Sequence, residues 1–69
     1  MVTLYQLLNV MDLDSELEIF DYDSIELLIE GRRGTIDLPH DLYGATVSHF
    51  IPGIVTKIFI TDPYYNIGG

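Results

Sequence analysis

Glu16-Leu17-Glu18-Ile19-Phe20-Asp21-Tyr22-Asp23-Ser24-Ile25-Glu26-Leu27-Leu28-Ile29-Glu30 is the stretch on which the fold turns. Apolar residues alternate with charged ones at Leu17, Ile19, Leu27 and Ile29, the period of a strand with one face in a core and the other in water. The polar segment between the two runs breaks the pattern, so the stretch predicts a β-hairpin. With Asp12 and Asp14 just before it, residues 12–30 hold eight of the eleven carboxylates (Asp12, Asp14, Glu16, Glu18, Asp21, Asp23, Glu26, Glu30) and no Lys or Arg. The outward face of the hairpin is therefore strongly acidic.

A shift of one residue would put charge against the core, so the register follows from the faces. A three-residue loop of Tyr22, Asp23 and Ser24 pairs Ile19 with Leu27 and Leu17 with Ile29. It sets Glu16 opposite Glu30, Phe20 opposite Glu26, and Glu18 opposite Leu28. Like charges directly opposite cost a few tenths to about 1 kcal/mol, and no cation lies nearby in sequence to offset them.

Before the hairpin, residues 3–11 read as a short amphipathic helix. Thr3 and Gln6 have the spacing of a capping box, and Leu4, Leu7, Leu8 and Met11 form one apolar stripe. Nine residues are too few to be helical alone in water, so the helix must pack on the sheet.

After the hairpin, Arg32 and Arg33 stand between Gly31 and Gly34 and are two of only three basic residues. The glycines permit a turn or bulge here. The arginines either present a site for phosphate or carboxylate or neutralise the adjacent glutamates. Residues 35–38 fit either a continued strand or a loop. Residues 39–44 then read as one helical turn, with Pro39 at its first position, Asp37 or Asp41 as cap, Gly44 as terminator, and Leu38, Leu42 and Tyr43 as anchors. His40 on this turn is read as facing solvent.

A second hairpin is expected from residues 45–51 and 54–61, broken at Pro52 and Gly53. Pro-Gly signals a type II turn, whose twist suits a tight hairpin poorly, so the strands are expected to splay. Simple alternation puts Val47, His49, Ile51, Ile54, Thr56, Ile58 and Ile60 on the inner face. Ser48, Phe50, Val55, Lys57 and Phe59 fall on the outer one. Phe50, Val55 and Phe59, joined by Phe20 and Leu28, make an exposed apolar patch of the kind that marks an interface. Tyr64 and Tyr65 follow Pro63 in a segment, residues 62–69, that either packs back or forms a loose tail.

Composition bounds the rest. The 69 residues make a single small domain, which buries only roughly 60% of the surface of its unfolded chain. Such domains add disulfides, a metal or a second copy. Cysteine is absent, and His40 and His49 match no compact zinc spacing. A homo-oligomer, most simply a dimer, is the remaining route, with 48% hydrophobic residues to supply it. A net charge of −8 favours cationic partners and argues against direct contact with nucleic acid or an anionic membrane. No membrane-spanning run or secretory signal is visible, and a reducing cytoplasm is the simplest compartment to expect.

No catalytic residues are assigned. Ser15, Ser24 and Ser48 lack a nucleophile's context, and Asp12, Asp14 and Glu16 lack the glycine and later glutamate of a calcium loop. No enzyme activity, metal or cofactor is expected. In size, charge and its opening layout, Thr3-Leu-Tyr-Gln-Leu-Leu followed by an acidic hairpin, the chain resembles the small acidic orphan proteins of bacteriophages and prophages, which include anti-CRISPR and other anti-defence proteins. The resemblance implies an inhibitor that occupies the nucleic-acid-binding surface of a host protein.

The residues point the same way. The fold expected is α+β, a short N-terminal helix on a four-stranded, mainly antiparallel sheet. Glu16, Glu18, Asp21, Asp23, Glu26 and Glu30 are the candidate partner-binding residues, standing in for phosphates. Phe20, Leu28, Phe50, Val55 and Phe59 are the candidate oligomer seam. An alternative from another class is an oligomer that holds a small anionic nucleotide between subunits through Arg32, Arg33, Tyr64 and Tyr65.

Overall fold

Thr3 sets the first element. In the computed structural model, which describes residues 2–61, its hydroxyl accepts from the Gln6 amide at 3.2 Å while the Gln6 side chain accepts from the Thr3 amide at 3.0 Å. This capping box starts α1, Leu4–Asn9. Two more first-turn amides, which a helix cannot satisfy internally, donate to carbonyls further along the chain, Leu4 to Ala45 at 2.8 Å and Tyr5 to Tyr43 at 3.0 Å. Leu4, Leu7 and Leu8 are buried, with Met11 packed alongside.

Four strands follow: β1 (Glu16–Asp21), β2 (Leu27–Arg32), β3 (Thr46–Ile51) and β4 (Val55–Thr61). They form one sheet in the order β2-β1-β4-β3. Each hairpin is antiparallel, and the two hairpins join through a parallel pairing of β1 with β4 at the centre. The protein is thus a small α+β fold with a mixed, mostly antiparallel sheet.

α1 covers one face of the sheet. Leu17 and Ile19 of β1 meet Ile58 and Ile60 of β4 beneath it, all four essentially inaccessible to water. Leu38, Leu42 and Ala45 close the core from the connection between hairpins. That connection leaves β2 through a turn in which the amides of Thr35 and Ile36 donate to the Arg32 carbonyl, so residues 35–38 form a loop. A 3-10 turn, His40–Leu42, follows. Pro39 is its N-cap and no side chain bonds there, so neither Asp37 nor Asp41 is the cap.

Both hairpins differ in register from simple alternation, each through a turn longer than expected together with a β-bulge. In the first, Ile19 faces Ile29, Leu17 faces Gly31, Glu18 faces Glu30 and Glu16 faces Arg32. The turn is longer than three residues. Ile25 takes a left-handed conformation, φ 56°, its amide donates to Asp21 O at 2.7 Å, and the Asp21 amide donates to Glu26 O. The register then shifts, with Phe20 facing Leu27 and Leu28 left as the extra residue. Leu28 consequently packs against the core.

In the second hairpin the shift falls between Val47 and His49. Val47 faces Ile60 on the inner side, but beyond Ser48 the faces exchange. His49 faces Phe59 and Ile51 faces Lys57 on the outer side, while Phe50 faces the buried Ile58. No tight two-residue turn forms at Pro52-Gly53. Ile51 pairs with Lys57 and not with Ile54, which lies in the turn at 96% exposure.

Candidate protein-docking face

The sheet face opposite α1 bears no covering element among the described residues. Its side chains are laid out by register, because residues paired across strands share a face. One row runs Leu27, Phe20, Phe59, His49. Three of its rings form a continuous stack, with Phe20 to Phe59 at 5.1 Å and 17°, and Phe59 to His49 at 4.6 Å and 13°. Tyr22 meets His49 edge-on at 5.7 Å. Offset aromatic pairs contribute about 0.5–1.5 kcal/mol each beyond burial, which favours this stacked arrangement.

The next row runs Glu30, Glu18, Lys57, Ile51, and beyond it lie Arg32, Glu16 and Val55. A recess of about 290 Å³ opens here, lined by Glu16, Glu18, Glu30, Arg32, Thr35 and Val55 among others. The like-charge contact is Glu18 with Glu30, not Glu16 with Glu30. Cations do offset part of it, because the fold brings Lys57 beside Glu18 and Arg32 beside Glu16.

The acidic candidates divide accordingly. Glu16, Glu18 and Glu30 stand together on the open face. Asp21 lies at the turn, where its carboxylate accepts from the Asp23 amide at 3.2 Å and the Ser24 hydroxyl at 3.1 Å and so organises the loop. Asp23 and Glu26 are exposed on or beside that loop, beyond the end of the aromatic row.

Of the apolar candidates, Phe20, Val55 and Phe59 lie on the open face. Leu28 and Phe50 do not, for the bulges turn both to the helix side. His49 and Ile51 join the face instead, beside Lys57, which alternation already places there. Strict alternation placed His49 and Ile51 inside, and an unpartnered histidine in an aliphatic core was the signal against it.

The two arginines do not form a joint site. Arg32 faces Glu16, whereas Arg33 donates from Nε to the Leu8 carbonyl at 2.8 Å. Tyr64 and Tyr65 lie outside the described residues. Among those described, no group of three or more His, Asp or Glu side chains is placed to hold a metal ion, and no helix is long and apolar enough to cross a membrane.

Comparison of the chain with protein-family models, curated proteins and solved structures returns no match.

Proposed function

We propose that the protein is a non-enzymatic inhibitor that docks its open sheet face onto a basic, nucleic-acid-binding surface of a host defence protein, in the cytoplasm of the host cell. The observation that carries this reading is the juxtaposition of the Phe20-Phe59-His49 stack with Glu16, Glu18 and Glu30. Arginine-rich surfaces that bind nucleic acid offer guanidinium groups, which pair with carboxylates and also stack on aromatic rings. Such stacking is worth about 0.5–1 kcal/mol at an exposed site and more when water is excluded. Phosphate charge and base stacking are thus imitated by carboxylates and flat rings in adjacent rows. Three carboxylates at the recess, against Arg32 in its wall and Lys57 beside Glu18, leave it net negative, which favours a cation there over a nucleotide.

A labelled oligoarginine peptide tests the face directly by fluorescence anisotropy. Binding should weaken steeply between low and high salt, fall at least tenfold in Glu18→Lys/Glu30→Lys, and fall less, without change in salt slope, in Phe59→Ala. Unaltered binding in the charge-reversed, folded protein would remove the basis of the reading. With a captured host partner, the protein should displace single-stranded DNA from it, and the charge-reversed variant should not.

A further inference from the structure

We propose that the outer edge of β3 is where two copies of this chain meet, through antiparallel β3-β3 pairing about a two-fold axis at Phe50, which joins the two sheets into one of eight strands. The inference is independent of what the open face binds. β3 is an edge strand, and among the described residues its outer side is covered at its beginning only. Thr3 bridges Thr46, and the Val47 amide donates to the Val2 carbonyl at 2.8 Å. Among the described residues, no strand pairs with the outer side of residues 49–51.

Edge strands of soluble proteins are normally guarded by charge, lysine above all, or by an internal proline. β3 has neither. Residues 42–56 contain no Asp, Glu, Lys or Arg, whereas the other edge, β2, carries Glu30 and Arg32 with Glu26 just before it.

Charge also selects the occupant. Each copy carries −8, so two copies repel wherever their carboxylates face one another, and the β3 edge is a stretch where none do. A cationic partner is drawn instead to the β1-β2 hairpin. An antiparallel strand pair is self-complementary, as a two-fold contact requires.

Side chains on the helix side fit the same arrangement. Between α1 and β3 runs a groove of about 550 Å³, lined by Val2, Leu7, Val10, Val47 and Phe50 among others. Phe50 is 47% exposed and Val10 80%. With the axis at Phe50, the two phenyl rings become direct cross-strand neighbours, lying between the two copies of α1 and over Val10. On the open face, His49 of one copy comes opposite Ile51 of the other, so the aromatic row continues across the seam. A patch this short falls at the low end of specific interfaces and predicts a dimer in the micromolar range.

Sedimentation equilibrium of the full chain across that range tests this. The mass should rise from 7.8 kDa toward twice that value, and added salt should strengthen the dimer by screening its like charges, opposite in sign to docking of a cationic partner. Phe50→Lys should stay monomeric with an unchanged circular dichroism spectrum, and Phe59→Lys should still dimerise. Because the chain has no cysteine, Phe50→Cys should oxidise to a disulfide-linked dimer much faster than Ile54→Cys, and this comparison decides should Phe50→Lys fail to fold. A wild-type mass of 7.8 kDa throughout, a dimer insensitive to Phe50→Lys, one abolished by Phe59→Lys, or equal oxidation of the two cysteine variants would each overturn the proposal.

Discussion

Arg33 Nε donates to the main-chain carbonyl of Leu8 at 2.8 Å and thereby fastens the exit of β2 to the last turn of α1. The Leu8 carbonyl also accepts from the Met11 amide, so one charged side chain completes a helix end that has no basic residue of its own. The arginine pair thus divides between a clamp at Arg33 and a member of the open face at Arg32.

Removing the clamp should cost more than removing its neighbour. Hydrogen bonds to charged groups contribute about 1.5–3 kcal/mol, and partial exposure lowers this to about 1–2 kcal/mol for Arg33→Ala. Thermal unfolding followed at 222 nm should show Tm falling by roughly 5–10 °C. Arg32→Ala should leave Tm nearly unchanged, and equal losses would show that the Leu8 contact is not what holds the helix.

Ile25 carries a backbone conformation that disfavours a β-branched residue. The left-handed region costs an L-residue about 1–2 kcal/mol, while glycine adds about 0.5–1 kcal/mol of unfolded-state entropy. Because Ile25 is more than half exposed, Ile25→Gly should gain a few tenths to about 1 kcal/mol. The urea midpoint should rise at constant m-value. A lower midpoint would mean that the Ile25 side chain contributes more than its backbone strain removes.

Glu18 and Glu30 face each other across β1 and β2. Neutralising one, as in Glu30→Gln, should stabilise the fold by about 0.2–1 kcal/mol at low salt. The advantage over wild type should shrink as salt screens the pair. Parallel denaturation curves at two ionic strengths measure both effects, and a gain that persists at high salt would point to a cause other than repulsion.

The bulge in β2 predicts an inversion between adjacent leucines. Leu28 packs on the core and Leu27 is 42% exposed on the open face. Leu28→Ser should therefore be the more destabilising, by about 1–2 kcal/mol over Leu27→Ser. The opposite order would return the hairpin to strict alternation.

These bulges also mark where the sequence stops being readable. Thr3 and Gln6 announce the helix start through local chemistry, and Leu17 and Ile19 declare their face through alternation. The four-stranded α+β architecture follows from such local signals. The bulges do not, since Leu28 and Ser48 resemble any other strand residue. They are the extra residues only because of where the pairing with β1 and β4 shifts register. The parallel seam is equally silent, as nothing near Glu18 in sequence foretells Lys57 beside it. On the candidate face, Phe20, Phe59, Glu16, Glu18 and Glu30 were legible from pattern and charge. Lys57 also follows from alternation, but its place beside Glu18, like the outward position of His49 and Ile51, depends on long-range pairing.

The parallel pairing of β1 with β4 has one more consequence, for assembly in time. Each hairpin closes through nearby residues, yet neither holds a whole core: Leu17 and Ile19 sit in one half, Ile58 and Ile60 in the other. The seam forms only when distant parts of the chain find each other, a step that slows folding relative to helical proteins of similar size. Severed in the loop at residues 35–38, the chain would become two fragments that are each unstructured alone and fold on mixing.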